Sequence, residues 1–167
     1  MKWSMSRSAK ALAIAGLLAG AALPAKAETL YRSVSVDTSE IAARYNPVLA
    51  QNIRAMLQAD LSRSFADRMT SARGAPQLVV RITGIQQAAL PEGDGLRYGG
   101  GGGGSNDYMN GEALIVANGR VLASHPMLSA LDSNYAGSWY QRDADRKRLA
   151  ALSWQYAAWL RREMASY

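Results

Sequence analysis

The chain of 167 residues has the composition of a folded domain, with 49% hydrophobic and 19% charged residues and a formal net charge of +6. It is too apolar for a disordered tail and too short for more than one ordinary domain. The absence of cysteine excludes disulfides, a thiol nucleophile, thiolate metal ligands and a lipid-modified cysteine, and the single histidine, His125, excludes most imidazole metal clusters. We therefore expect neither a metal nor a cofactor.

Residues 1–27 have the three parts of an export signal. Basic residues lie among the first ten, an apolar run covers residues 11–23, and residues 24–27 (PAKA) offer the small side chains that a signal peptidase recognises. The run is shorter than the ~20 apolar residues that cross a bilayer, so it does not predict a membrane anchor. We expect cleavage after Ala27 and a mature chain, residues 28–167, in the periplasm or outside the cell.

Removal of this segment also removes most of the excess positive charge. Four of the 19 basic residues lie in it and none of the 13 acidic ones does, so 15 basic and 13 acidic residues leave a charge of +2. Such a balance is that of an ordinary solvated surface, and no nucleic-acid-binding motif accompanies it. We therefore expect no nucleic acid partner, and no later segment is apolar enough to predict a transmembrane anchor.

The first elements predicted after the signal are a strand and a long helix. Residues 30–37 (LYRSVSVD) alternate apolar and polar side chains near their end, which is typical of a half-buried strand. Asn46 is a good helix N-cap and Pro47 suits the first helical position, so a helix is predicted from there to about Met69. Its large apolar residues recur every four positions and wind around the helix, so they need cover from both a sheet and a second helix.

Three further strands are predicted after this helix. Residues 77–90 are rich in β-branched side chains and follow the helix directly. Residues 108–117 and 120–124 flank Asn118-Gly119, which is the strongest signal for a two-residue β-hairpin. Proline cannot donate to a ladder, so at Pro126 the last strand ends, bulges or lies at the edge of the sheet.

The final predicted element is a helix that begins after Asp143 as its N-cap and leaves Trp154 off its main apolar face. The order β-α-β-β-β-α predicts an α+β fold, with two helices packed on one face of a four-stranded mixed sheet. The residues expected to share the core are Leu49, Ile53, Leu57, Val80, Ile82, Leu114, Val116, Leu152, Tyr156 and Trp159.

A glycine-rich loop, residues 91–107, joins two of the predicted strands. A phosphate-binding loop requires a strand before it and a helix after it, and this loop leads into a strand. A glycine-rich calcium-binding turn works in stacked repeats, whereas this chain has one copy. The loop is therefore predicted to be a flexible connector.

Two catalytic arrangements can be drawn from the sequence. His125 has Ser129 and Asp132 nearby, but no Gly-x-Ser-x-Gly motif accompanies them, so a structural or surface histidine is favoured over a hydrolytic triad. A pair of carboxylates, such as Asp107 and Glu112, would suit glycoside hydrolysis. The carboxylate alternative stays open at the level of sequence.

An unusual cluster of aromatic residues lies in the polar segment 131–142, which contains Tyr135, Trp139 and Tyr140. With Trp154 on the final helix, these residues are the candidate binding residues. Aromatic side chains in loops often anchor partners or stack on sugars, because they give a large contact area at little cost in rotamer entropy. The alternative is a lid that folds back on the core.

The element order behind an export signal resembles that of small envelope-assembly lipoproteins, such as the outer-membrane lipopolysaccharide-assembly partner and the auxiliary lipoproteins of lipid-transport systems. The resemblance is topological, and Ala27 and Glu28 stand where those proteins have a lipidated cysteine. It implies a non-catalytic component of the envelope. Our first hypothesis is an accessory protein that docks on an envelope complex or binds an amphipathic lipid or glycan between helices and sheet. The alternatives are a small secreted hydrolase that uses carboxylates and a carbohydrate-binding module.

Overall fold

The computed structural model describes residues 28–87, 106–135 and 143–166, so the predicted signal and most of the glycine-rich loop lie outside the described residues. Its strands form one mixed sheet in the order β1-β2-β3-β4, with β1 parallel to β2 and the other pairs antiparallel. The predicted α+β fold and element order are confirmed. The elements are β1 (Ser33–Asp37), α1 (Ser39–Arg44), α2 (Pro47–Ser64), β2 (Gln77–Gln86), β3 (Asn106–Ala117), β4 (Arg120–Asp132) and α3 (Ala144–Glu163).

The start of α2 follows the predicted cap. The Asn46 side-chain oxygen accepts a hydrogen bond from the Leu49 backbone N–H at 2.7 Å, and Pro47 occupies the first helical position. The helix ends at Ser64, earlier than the predicted end at Met69, because a 3-10 turn takes up the following residues. The six-residue helix α1 was not predicted, since so short a segment shows no helical periodicity.

The β3–β4 hairpin turns at the predicted residues. Asn118 and Gly119 have φ angles of 52° and 72°, as a two-residue turn with left-handed central positions requires. β4 continues past Pro126 to Asp132, so the prediction that residues 131–132 belong to a polar connection was wrong. Pro126 is tolerated in the middle of β4 because β4 is an edge strand. Its nitrogen, which carries no hydrogen, can face solvent, so no hydrogen bond of the sheet is lost.

The start of β3 also differs from the prediction. Asn106 and Asp107, which were placed in the glycine-rich loop, are the first residues of the strand. They pair with Asp132 and Leu131 of β4, so the hairpin is longer at its open end than the sequence indicated. This extra length brings Asp107 beneath the beginning of α3.

The core lies between the sheet and helices α2 and α3. Most of the predicted core residues belong to it: Ile53, Leu57, Val80, Ile82, Leu152 and Tyr156 are all fully buried there.

The other four predicted core residues lie elsewhere, and three of them are at least half-buried. Leu114 is buried but outside this core, because its strand neighbours Ala113 and Ile115 face the helices and adjacent strand residues face opposite sides. Val116 is half-buried on the same side as Leu114, and Leu49 lies half-buried at the border of the core. The strand alternation therefore placed the β2 residues correctly, whereas in β3 the predicted core positions were one residue away from those that face the helices.

Trp159 is 41% exposed, so its predicted place in the core was wrong. The side chains one turn before and after it reach the edge strand, since Gln155 Nε2 donates to the Ala130 carbonyl at 2.6 Å and Glu163 lies 3.9 Å from His125. Trp159 therefore lies over the border of the sheet, beyond which no described strand covers it. Its indole packs instead against the guanidinium of Arg162, 5.6 Å from the ring centre.

Two buried arginines fix the ends of α3. Near its start, Arg148 donates through Nε to Asp107 of β3 at 2.9 Å, and both side chains are almost fully buried. This hydrogen bond raises the pKa of Arg148 above its ordinary value. Beyond its end, the fully buried Arg68 donates through Nη1 to the Met164 carbonyl at 2.6 Å. α3 is thus held to the rest of the domain at both ends by charged groups as well as by apolar contacts.

The second partner of Arg68 is Glu28, the first residue of the predicted mature chain. Arg68 Nε donates to Glu28 Oε2 at 3.0 Å. Arg68 Nη2 lies 2.7 Å from Glu28 Oε1 but off the line of a hydrogen bond, so this second contact is ionic in character. The half-exposed carboxylate therefore neutralises a guanidinium that has no access to solvent.

Candidate binding surfaces

The predicted carboxylate pair does not form a site. Asp107 and Glu112 are five positions apart on β3 and lie on opposite faces of the sheet. Asp107 is buried against Arg148, whereas Glu112 accepts hydrogen bonds from Arg81 at 2.9 Å and from Ser124 at 2.8 Å. Each carboxylate is occupied by its own cationic partner, and the two have no shared cleft.

The arrangement around His125 is structural as well. His125 is on the helix side of β4, 3.9 Å from Glu163 of α3. Ser129 is fully buried beside Gln155, and Asp132 accepts a hydrogen bond from a backbone N–H in the turn that follows β4. His125 and Ser129 are four positions apart on β4, about 13 Å along the strand, which is too far for the imidazole to take a proton from this hydroxyl. Within residues 28–87, 106–135 and 143–166, no group of three or more acidic residues and histidines is placed to hold a metal.

Two of the four predicted aromatic residues can be located. Tyr135 is 63% exposed just after β4, and Trp154 is 54% exposed on the outer side of α3. They make no ring contact with each other, since the one aromatic pair in the described part of the chain is that of Tyr31 with Phe65. Trp139 and Tyr140 lie outside the described residues, so a common surface for all four remains a prediction.

A groove that the sequence did not predict lies between α2 and α3, with a volume of about 710 Å³. Its floor is apolar and is formed by three side chains, of which Leu149 is buried and Leu49 and Met56 are half-buried. The α2 side of the groove is formed by Leu49, Asn52 and Met56, which share one helix face because they are at positions i, i+3 and i+7. The sequence shows this spacing on α2. It does not show the other side of the groove, which forms only where α3 packs beside α2.

The rim of this groove is polar. Asn52 stands on the α2 side, and Asp145 and Arg146 stand on the α3 side. At one end, Gln87 donates a hydrogen bond to the Asp145 carbonyl at 3.3 Å. The Arg146 guanidinium is exposed and has no partner among the described residues. The groove therefore offers an apolar floor beside an available positive charge.

A second, larger concavity of about 900 Å³ lies where the end of α1 meets the end of β2 and the middle of β3 and β4. Its lining combines polar side chains such as Thr83 and Asn110 with apolar ones such as Met127 and Leu128. Tyr45 closes one side by donating a hydrogen bond to the Ile85 carbonyl at 3.2 Å. The lining of this concavity is more polar than that of the α2–α3 groove.

No protein family model matches the chain, and no curated protein does. Several solved structures have a similar course of the chain. A minor lipoprotein from Acinetobacter baumannii is 10% identical, with a TM-score of 0.43 over 83% of this chain and 93% of that chain. A hypothetical protein from Chlamydia trachomatis is 9% identical, with a TM-score of 0.49 over 84% of this chain and 98% of that one.

A protein from Xanthomonas campestris assigned to the DUF330 family is 16% identical, with a TM-score of 0.44 over 86% of each chain. None of these three names concerns lipopolysaccharide assembly, so that part of the predicted resemblance stays a prediction. No helix in the described ranges is long and apolar enough to cross a bilayer.

Proposed function

We propose that the protein is a non-catalytic accessory protein of the cell envelope, exported by residues 1–27, that binds an amphipathic lipid in the groove between α2 and α3. The observation that carries this proposal is the combination of an apolar floor, formed by Leu49, Met56 and Leu149, with the available guanidinium of Arg146 at the rim. An alkyl chain would cover the floor, while an anionic headgroup would meet Arg146.

The dimensions and chemistry of the groove agree with this role. A volume of about 710 Å³ falls within the usual range of small-molecule sites, which are largely apolar with a few polar groups that orient the ligand. Each CH₂ group transferred from water to an apolar surface contributes ~0.8 kcal/mol, so about ten covered methylenes, the length of an ordinary acyl chain, would supply the ~8 kcal/mol of micromolar binding. The separate roles of Asp107 and Glu112 favour binding over the hydrolase alternative.

The test is the binding of N-phenyl-1-naphthylamine, an amphipathic probe that fluoresces in apolar sites, to purified residues 28–167. We expect saturable binding that lysophosphatidylglycerol displaces. Met56→Gln should weaken it about tenfold, because the amide places polar atoms on a floor where burying the methionine side chain contributes ~1.5 kcal/mol. Met69→Gln is the matched control, since Met69 is 42% exposed and outside the groove.

Arg146→Gln separates the headgroup contact from the apolar contact. Displacement by lysophosphatidylglycerol should weaken, whereas displacement by a neutral lysolipid should not change, because the variant keeps the apolar floor. Equal binding by the Met56 and Met69 variants would contradict the proposal, as would an unsubstituted protein that binds neither the probe nor lipid.

A further inference from the structure

Three arginines gather at the end of the sheet where β1 and β2 begin and the β3–β4 hairpin turns. Arg32 precedes β1, Arg73 precedes β2, and Arg120 directly follows the turn. All three side chains are exposed, and none has a hydrogen bond or ion pair to its guanidinium among the described residues. This end of the molecule therefore presents positive charge that no side chain within residues 28–87, 106–135 and 143–166 neutralises.

Carboxylates near this end are already paired with other residues. Glu28 faces the buried Arg68, and Asp67 accepts a hydrogen bond from Arg161 at 2.7 Å. Within the hairpin itself, Glu112 is held by Arg81. These three carboxylates already interact with other arginines, so they do not neutralise the three arginines at the end of the sheet.

Two of these arginines line a recess of about 260 Å³. Arg32 and Arg73 contribute to it from the segments before β1 and β2, and Asn118 and Gly119 contribute from the hairpin turn. A guanidinium presents its N–H groups in a planar fork that matches the oxygens of a phosphate group. Two such forks and the polar turn make the recess suited to an anionic group carried on a larger molecule.

Exposed apolar residues adjoin this recess. Val121 and Leu122 follow Arg120 on β4 and are 57% and 65% exposed. Val121 pairs in register with Val116, which itself lines the recess. Aliphatic side chains next to unpaired arginines are typical of surfaces that enter the headgroup layer of a membrane, where the chains reach the acyl boundary and the cations meet phosphates.

We infer that this basic hairpin end, defined by Arg32, Arg73, Arg120, Val121 and Leu122, docks on the surface of an anionic phospholipid membrane. The guanidinium groups contact the lipid phosphates, and the two aliphatic side chains enter the interface. The docking is peripheral and reversible, because two small side chains and three cations supply far less free energy than a membrane-spanning helix.

This surface is separate from the α2–α3 groove. Gln77, at the start of β2, lines the recess, whereas Gln87, just after the end of β2, lines the groove. Ten residues of strand place the two about 30 Å apart. Membrane docking can therefore be tested without disturbing the groove, and the inference does not depend on the proposed function.

The experiment measures co-sedimentation of residues 28–167 with vesicles of phosphatidylcholine, with or without phosphatidylglycerol. We expect binding only when phosphatidylglycerol is present, and binding should fall as salt rises because screening weakens exposed charges. A basic residue near an anionic surface contributes about fivefold to the partition coefficient, so Arg73→Gln with Arg120→Gln should lower it about 25-fold.

Arg44→Gln with Arg54→Gln is the matched control, since it removes the same charge from exposed helix positions outside the basic hairpin end. It should change the partition coefficient less than about threefold, through net charge alone. Val121→Ser with Leu122→Ser should also weaken binding, at high salt as well as low. Thermal melts of each variant establish that it is folded before its binding is compared.

Equal losses in the two arginine variants would overturn the inference, because the attraction would then come from net charge and not from this surface. Failure of the unsubstituted protein to bind phosphatidylglycerol vesicles would overturn it too. Saturable binding of glycerol 3-phosphate without any binding to vesicles would assign the recess to a free anion and likewise refute membrane docking. Met56→Gln should keep vesicle binding, which distinguishes a failure here from a failure of the groove.

Discussion

Replacement of Glu28 by glutamine removes the charge opposite the buried Arg68 while it keeps the size of the side chain. Arg68 Nε donates to Glu28 Oε2 at 3.0 Å and has no exposed surface, so the guanidinium cannot recover the lost carboxylate by hydration. A hydrogen bond to a charged group contributes about 1.5–3 kcal/mol. Glu28 is 52% exposed, which weakens the interaction through solvent screening, so we expect a loss of about 2 kcal/mol.

The assay is thermal and urea unfolding of residues 28–167 at low salt. For a chain of this size, 1 kcal/mol corresponds to about 3–5 °C in Tm, so Glu28→Gln should lower the Tm by about 6–10 °C. Glu40→Gln is the control. Glu40 pairs with Arg44 at 3.4 Å on the surface of α1, and such an exposed pair contributes about 0.5 kcal/mol at most.

Coincident melting curves for the Glu28 and Glu40 variants would refute this reasoning, because Arg68 would then need no carboxylate from the amino-terminal segment. A chain that starts at Thr29 extends the test. It should lose at least as much stability as Glu28→Gln, since the whole residue is missing. If its Tm equals that of the chain that starts at Glu28, then Glu28 contributes nothing to the stability of the fold.

Leu57→Ala should cost about 2–5 kcal/mol in urea melts, since Leu57 is fully buried in the core, and a loss below about 1 kcal/mol would contradict that placement. Hydrogen bonds from Ser39 lower the pKa of Asp37, so its contribution to stability is complete above the ordinary carboxyl pKa and is lost as the pH falls through the lowered value. Asp37→Asn should therefore lose less stability than the unsubstituted protein as the pH falls below about 4, and parallel curves would assign the acid sensitivity elsewhere. If the aromatic segment is a binding surface, Trp139→Ala with Tyr140→Ala should keep the Tm within a few degrees but lose co-purifying partners. Early unfolding with retained binding would make those residues a lid. The intact mass of the exported protein should equal that of residues 28–167, and a periplasmic mass that includes residues 1–27 would reject cleavage after Ala27.

The parts of the fold that were predicted correctly depend on short-range chemistry. Asn46 caps α2 through a hydrogen bond to a residue three positions away, and Asn118-Gly119 forms its turn because both residues accept positive φ. The long helical periods likewise predicted that Ile53 and Leu57 would be buried. In each of these cases the interacting groups are close in sequence or repeat at a fixed period.

The parts that were missed depend on where distant elements meet. Trp159 fits the apolar face of α3, but that face extends past the last strand, and only the position of the sheet edge determines its exposure. The burial of Arg68 and Arg148 was not predicted, because their carboxylate partners are about 40 positions away in the sequence. The α2–α3 groove similarly needs both helices in place, so no single segment revealed it.

Pro126 affects whether copies of the protein can pair with one another through the exposed edge of β4. Proteins held on a membrane are concentrated in two dimensions, and an open strand edge under these conditions invites neighbouring copies to pair edge to edge. β4 is such an edge, with 13 residues, but its centre is a residue that has no N–H to donate. Along β4, an adjacent molecule would therefore find no continuous ladder to extend, which disfavours association of copies through this edge.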